Sequence, residues 1–498
     1  MNQSPNIVFI MTDHTNSASI TSESQCLTPN LDSLSKDGIR FDSCYTTNAI
    51  CSPARASLMT SLYPSSHGVW DVLHAHPRSW LDAPSGRFIH FAEALAEHGY
   101  RNGYFGKWHV EQSNQLDDFG WHEFNVQDTL RIDRRKISDT DFNSNEGSTL
   151  DSDIQVSNEV ILKTEGYPDH LLSATVEGMD NVSHPAFDHG LKFISDHISG
   201  TNAKNPFTCF ISVLEPHDPY LASHDVMELY DCDQITLSPS FEDDLDSKPD
   251  ILKRMSTVFE ELEQAQWKQI IASYYASITS IDKEVGRVIK FLKDRNIYDD
   301  TLIVFTSDHG DMLSAHGLLT KGVGTGYEEV YNIPLIFKPP NVNTVTSTQD
   351  AKVSTVDLAP TLLAYAGIDI PEQMQGKNLK PVLDGSVNTD DLDEAYAEFF
   401  SQRYMYTQRL TWKNEWKYIF NPGGIDELYN LDDDPFELNN LANKQKYQHI
   451  LKDMARHMWR KMESIGDTTL LNTGYPLLRT APVGPISRFG ETHQNNEH

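Results

Sequence analysis

Asn6-Ile7-Val8-Phe9-Ile10-Met11-Thr12-Asp13-His14 is an apolar, β-branched run that stops at a polar triplet. It reads as a buried parallel strand over residues 6–11 that delivers Asp13 at its carboxyl end. The same grammar recurs. Thr28-Pro29-Asn30 caps a short helix through Leu34, and residues 38–45 form the next strand. Residues 100–105 lead into Gly106-Lys107-Trp108-His109, residues 207–214 end at Glu215-Pro216-His217-Asp218, and residues 301–305 stop at Ser307-Asp308-His309-Gly310. A further strand covers 333–337. Helices fall between them at 51–62, 91–97, 264–295 and 357–365, the last closed by Gly367. In the longest, Trp267, Ile271, Tyr274, Ile278, Ile281, Val285, Val288 and Leu292 recur three or four apart. Strand, polar loop and helix in alternation predict a doubly wound, mostly parallel α/β sheet, with the polar residues past strand C-termini where such folds place ligands.

Beyond Gly385 the pattern changes. Residues 409–412, 417–420 and 427–431 read as short antiparallel strands followed by a helix at 448–463. This predicts a large domain over 1–385 and a smaller C-terminal α+β domain over 386–498, a division natural for a chain of 498 residues. Segments 125–185 and 222–262 are long, polar and weakly periodic, and read as insertions decorating the cleft.

The formal charge of −32 excludes nucleic acid as a natural partner, and its clusters at 242–246, 390–394 and 432–434 read as solvated faces. No apolar run reaches membrane-spanning length. The start carries neither a basic nor an apolar leader region, which fits a cytoplasmic protein if that start is native and a periplasmic or secreted one if a signal peptide was removed. Five cysteines without paired spacing argue against a disulfide framework. Only Cys51 stands in a motif.

That motif is Cys51-Ser52-Pro53-Ala54-Arg55, extended by Ala56-Ser57-Leu58-Met59-Thr60-Ser61-Leu62-Tyr63-Pro64. With the ordered strings Gly106-Lys107-Trp108-His109, Glu215-Pro216-His217 and Asp308-His309-Gly310, it resembles the type I, formylglycine-dependent sulfatases of the alkaline phosphatase superfamily, from Asn6 to about Leu441. The resemblance implies an alkaline-phosphatase-like catalytic domain in which a maturase oxidises Cys51 to formylglycine. Its hydrate supplies two hydroxyls, one to attack sulfur and one to expel sulfate afterwards. Resemblance further implies Asp13, Asp308, His309 and the modified Cys51 as ligands of a divalent cation, calcium before magnesium, with manganese admitted by histidine. His14 stands where many members carry a second acid; it reads either as a further ligand or as a loop histidine bonded to its neighbours.

Arg55 follows Cys51 by four residues, one helical turn, where its fork can neutralise charge at the nucleophile; the alternative is a surface ion pair. Lys107 and His109 lie two apart and share a side if the strand stays extended, with Trp108 turned into the core. The resemblance makes Lys107 and Lys321 sulfate clamps, His109 the partner of the formylglycine hydroxyls, and His217 a general acid that Asp218 can orient. His67, His74, His76, Arg78 and Trp80 are candidates for the cleft mouth. The function expected is hydrolysis of a sulfate monoester of a small sulfated mono- or oligosaccharide. A phosphonate monoester hydrolase or phosphodiesterase of the same superfamily is the alternative.

Overall fold

The computed structural model describes residues 4–73, 88–112, 115–126, 137–138, 149–150, 155–201, 203–341, 349–386, 389, 392–470 and 480–485. Its main sheet has eight strands: β1 (Asn6–Thr12), β2 (Ile39–Tyr45), β3 (Arg101–Gly106), β4 (Glu123–Asn125), β5 (Phe207–Ser212), β6 (Thr301–Ser307), β7 (Asn332–Lys338) and β8 (Gln349–Ser354). Their spatial order is β8-β2-β7-β6-β1-β5-β3-β4. All pairings are parallel except those of β7, which runs antiparallel to both β6 and β2. The fold is therefore the doubly wound α/β arrangement expected, with one reversed strand.

Because side chains alternate across a strand, a segment buried on both faces must be apolar at every position. In β1, Ile7, Phe9 and Met11 enter one core with the helices Cys51–Thr60, Phe91–Glu97 and Leu358–Ala366. Val8 and Ile10 enter the other, with Pro29–Asp37, Pro185–Ser199 and Gln264–Asp294. All eight periodic apolar residues named for the longest helix are buried in it. The four central strands β6, β1, β5 and β3 are neighbours, so Asp308, Asp13, Glu215–His217 and Lys107 leave the sheet along one edge. Backbone bonds extend the ladder beyond the strands: Asp308 N–H to the Thr12 carbonyl (3.3 Å), Asp13 N–H to Glu215 (3.2 Å) and Lys107 N–H to Ser212 (2.9 Å). Gly106 makes the last approach possible. Its φ is +105°, and a Cβ there would stand 1.8 Å from the Ser212 carbonyl oxygen.

The C-terminal part is an antiparallel meander of Glu394–Ser401, Met405–Lys413, Trp416–Phe420 and Glu427–Asn430, covered by the helix Gln448–Ile465. Its other face shares a core with the main sheet, where Leu410, Trp412 and Ile419 meet Tyr45, Ile50 and Tyr331.

Several expectations need correction. The first of the four meander strands, Glu394–Ser401, begins at the last residue of the cluster 390–394 read as a solvated face, and was not foreseen. Segment 125–185 contains two strands, Val156–Leu162 and His170–Val176, which join Tyr220–Ser223 in a three-stranded sheet. In the acidic cluster at 242–246, Asp243 pairs with Lys248 at 2.9 Å and His316 at 2.6 Å instead of facing water. Among the described residues, no helix is long and apolar enough to cross a membrane. All five cysteines are free, and four of them are buried.

Thr28 makes no side-chain cap for Pro29–Asp37. Asp282 does that work from the long helix: one carboxylate oxygen accepts from the N–H groups of Asn30 (3.0 Å) and Leu31 (2.8 Å), the other from the Asn30 amide (2.8 Å). Burial nonetheless pushes this carboxyl up to about 6. A carboxyl group raised by folding contributes its stability below the unfolded value and loses it as pH rises through about 6. Asp282→Ala should lower stability by about 1–2 kcal/mol in urea titration at pH 4. Asp282→Asn should flatten the decline between about pH 4 and 6; an unchanged pH profile would contradict the assignment.

Candidate active site

Cys51 is the first residue of a ten-residue helix, Cys51–Thr60, that is buried along its whole length. The positive end of the helix dipole therefore surrounds its thiol. Arg55, one turn on, is fully buried and is not a surface ion pair. Its Nε donates to Asp308 Oδ2 (2.7 Å), Nη1 to the Lys107 carbonyl (3.0 Å) and Ser212 Oγ (2.8 Å), and Nη2 to Asp13 Oδ2 (3.4 Å). Lys107 Nζ binds the same Asp13 oxygen.

Each carboxylate thus spends Oδ2 on a cation and turns Oδ1 elsewhere. Asp13 Oδ1 lies 3.7 Å from Cys51 Sγ and 3.5 Å from His309 Nε2, and Asp308 Oδ1 lies 3.7 Å from that nitrogen. His309 Nδ1 bonds the Gly310 carbonyl (3.0 Å), so Nδ1 carries the proton and Nε2 presents a lone pair, 3.1 Å from Sγ. Four electron-pair donors, from Asp13, Cys51, Asp308 and His309, lie within 4.8 Å of one another. Lone pairs converging from two carboxylates, a sulfur and an imidazole suit a divalent cation, and this donor set fits one.

His14 forms a second group with Asp13, Cys51 and His217, but it is held differently. Its Nδ1 bonds Asp311 Oδ2 (2.7 Å), and its Nε2 faces Lys321 Nζ. Asp311, against burial and Lys321, raises His14 to about 9 and would make it an imidazolium. His14 Nε2 meets Lys321 in this structure, and its Nδ1 meets Asp311.

Lys321 Nζ also lies 3.1 Å from His217 Nε2, while His217 Nδ1 bonds the Asp218 carbonyl oxygen (2.7 Å) with an Asp218 carboxylate oxygen at 3.2 Å. Burial, Lys321 and His14 push His217 down to about 4, so at neutral pH its Nε2 accepts from Lys321. Asp13 is pushed up by burial and Cys51, yet Lys107, His217 and Arg55 together hold it well below the usual carboxylate range. Burial alone would raise the Cys51 thiol; Lys107, Lys321, His309 and a hydrogen bond from His109 bring it well below its ordinary value. Burial lowers His109, leaving it a neutral base.

The structure thus brings Asp13, His14, Cys51, Arg55, Lys107, His109, His217, Asp308, His309 and Lys321 around one point. Lys107 and His109 do not share a side through extended chain: the strand ends at Gly106, Trp108 is buried in the core, and His109 takes a left-handed φ of 53°. His14 (φ 70°) and Thr320 (φ 61°) are left-handed too, so strained backbone gathers at this edge. His67 is not at a cleft mouth; it is buried against Ser57 Oγ at 3.0 Å, and burial pushes it down to about 3. His74, His76, Arg78 and Trp80 lie outside the described residues. Sequence reasoning missed Asp311, which accepts from His14, from Tyr220 OH (2.8 Å) and from the N–H groups of Leu313 and Thr320 (both 2.9 Å). An acid one residue past Asp308-His309-Gly310 was the available signal.

Asp308→Ala should weaken binding of a divalent cation by about tenfold or more, whereas His14→Ala should leave it within about threefold, both by calorimetric titration. A larger loss from His14→Ala would make that residue a ligand.

A family model described as Sulfatase matches residues 5–368, and one described as N-sulphoglucosamine sulphohydrolase, C-terminal, matches residues 315–464. An N-acetylglucosamine-6-O-sulfatase of Bacteroides thetaiotaomicron is 26% identical over 501 residues, covering 91% of this chain and 85% of the relative. A solved complex of a protein with its substrate D-glucosamine-2-N,6-O-disulfate superposes with a TM-score of 0.73 at 21% identity, covering 94% of this chain and 99% of that one. A phosphonate monoester hydrolase from Silicibacter pomeroyi gives 0.72 at 22% identity, with 94% and 96% covered.

Proposed function

The chain belongs to the sulfatase family of the alkaline phosphatase superfamily, and from that premise we propose that it hydrolyses the sulfate monoester of a small sulfated carbohydrate by a formylglycine made from Cys51. The observation that carries this reading is the position of Cys51 Sγ, at a helix N-terminus beside Asp13 and His309, with Lys107 and Lys321 close enough to lower its pKa. We take residues 1–385 as the catalytic domain and 386–498 as the smaller one.

A divalent cation held by Asp13, Asp308, His309 and residue 51, calcium first and magnesium or manganese next, would supply Lewis-acid polarisation of a sulfate oxygen. The chain's own groups do the rest. Lys107 and Lys321 hold sulfate oxygens, and Arg55 fixes the carboxylates and the helix bearing residue 51. One hydroxyl of residue 51 releases its proton to solvent and attacks sulfur, and the sulfur–oxygen bond to the alcohol breaks. Lys321, seated between His14 and His217, gives the departing alkoxide its proton. His109, kept neutral by burial, then takes a proton from the second hydroxyl of residue 51. The carbon–oxygen bond to sulfate breaks, the aldehyde returns, and water rehydrates it.

Intact-mass measurement after co-expression with a formylglycine-generating maturase should show a loss of about 18 Da at Cys51. Cys51→Ala should abolish turnover with the thermal midpoint preserved. Full activity with an unmodified thiol would overturn the reading. Lys321→Ala and His217→Ala should slow alkyl sulfates about a hundredfold and p-nitrophenyl sulfate less than tenfold, because only the poor leaving group needs the proton. Equal losses would remove Lys321 from the acid role and His217 from seating it.

The phosphonate monoester hydrolase reading is kept alive by the fold match to such an enzyme. Turnover of an aryl phosphodiester well above that of the matching aryl sulfate would favour it.

A further inference from the structure

A fully buried carboxyl group stands beside the site, and none of the reaction steps uses it. Asp311 is pinned by its own N–H to the Glu329 carbonyl (3.0 Å), and Gly310 N–H before it to the Val330 carbonyl (2.8 Å). Those carbonyls belong to the short helix Glu328–Tyr331 that leads into β7, so the acid sits on a fixed frame.

Its two oxygens act on two different structures. Oδ1 accepts from the N–H groups of Leu313 and Thr320 (both 2.9 Å) and so closes the loop between them. Met312 N–H to the Thr320 carbonyl (2.8 Å) and Ser314 N–H to the Leu318 carbonyl (2.9 Å) complete the closure. That loop needs holding. Leu313, Ser314, His316 and Thr320 carry φ of 39°, 80°, 53° and 61°, left-handed values that residues with side chains keep only when their surroundings enforce them. Lys321 follows Thr320 directly, so Oδ1 sets the backbone from which its side chain departs.

Oδ2 bonds His14 Nδ1 (2.7 Å) and accepts from Tyr220 OH (2.8 Å). Burial and Asp311 push the Tyr220 hydroxyl well above its ordinary value, so it keeps the proton it donates. The far nitrogen of His14 meets Lys321 Nζ. The backbone around His14 is tied down as well: Tyr274 OH donates to the His14 carbonyl (2.7 Å), and the Asn16 amide to the Asp311 carbonyl (3.1 Å). One carboxyl group therefore governs both ends of Lys321, the chain at its root and the ring beside its tip. A lysine is a point charge on a flexible four-carbon stem, so its ammonium stands only where its surroundings put it.

We propose that Asp311 is a positioning residue for the reaction, holding Lys321 at the reacting ester through the Thr320 backbone on one side and the His14 ring on the other. This rests on Lys321 acting at the ester, as proposed above. The coupling between residues 311 and 321 is nevertheless separable from the kind of ester and from the acid role.

The test is a double-mutant cycle on the full, formylglycine-bearing chain, with kcat/KM measured on an alkyl sulfate and on an aryl phosphodiester and read on whichever is turned over. Asp311→Asn keeps an oxygen for the two N–H groups and loses the acceptor that His14 and Tyr220 share. It should lower kcat/KM about thirtyfold in the intact enzyme and less than about threefold in a Lys321→Ala background. Affinity for a divalent cation should stay within about threefold by calorimetric titration. Equal losses in the two backgrounds would leave Asp311 a structural acid only, and a cation affinity lowered about tenfold would place its effect at the metal ligands; either result overturns the proposal. Should Lys321→Ala slow alkyl and aryl sulfates alike, the acid role falls, and the contrast between the two backgrounds still decides on Asp311. If Asp311→Asn does not fold by circular dichroism, Tyr220→Phe replaces it in the cycle. A loss of about threefold confined to the enzyme that retains Lys321 supports the proposal, and the same loss without Lys321 is fatal to it.

Discussion

One guanidinium holds the site together. Arg55 bonds groups at the ends of all four central strands: Asp308 after β6, Asp13 after β1, Ser212 closing β5 and Lys107 after β3. Such a buried cation is a poor source of net stability, because taking it and two carboxylates out of water costs about what their attraction returns. What it fixes is geometry. Four strand ends can meet one fork only in one register, and the helix carrying Arg55 must then place Cys51 one turn away, over the same point.

The division of labour within each carboxylate follows from that fork. Arg55 and Lys107 occupy Oδ2 of Asp13, and Arg55 occupies Oδ2 of Asp308, so the remaining oxygens converge toward His309. Two histidines stand nearby, and the partner of Nδ1 separates their uses. A backbone carbonyl leaves His309 with an outward lone pair at Nε2, while a carboxylate raises the basicity of His14 and Lys321 covers its far nitrogen. Identical side chains a few ångströms apart become a candidate ligand and a candidate lysine seat.

The parts of the fold legible in sequence are those where local pattern and burial agree. β1 is apolar throughout because both its faces are covered, and the long helix repeats at three and four because one face is. The direction of β7 was not legible: an apolar strand carries no mark of whether it runs parallel or antiparallel. The side sheet of Val156–Leu162, His170–Val176 and Tyr220–Ser223 was missed because its first strand buries only Val160 fully and so lacks a buried period. The cap of Pro29–Asp37 was missed for a different reason. Asp282 reaches it from 251 residues away, and local rules look only at the neighbouring Thr28. Asp13, Lys107, His217 and Asp308 stand past strand ends, where polar residues are conspicuous, and the resemblance of the strings around them, and of the Cys51 motif, to the sulfatases supplied the candidate set. Asp311, bonded to four partners on three segments, acts only through tertiary contacts.

The overall charge of −32 stands at odds with the anionic substrate proposed for this site, and the conflict dissolves on distance and dielectric. Acids on the surface act through water and salt, which screen them within about 8–10 Å. Arg55 and Lys107 are buried and unscreened, and even the one acid they share, Asp13, is held ionised by them. The field at Cys51 is therefore set by its immediate neighbours, which pull the thiol well below its ordinary value against the full cost of burial. Net charge in such a chain acts through solvent and salt; the chemistry of the cleft answers to the few charges the fold has taken out of water.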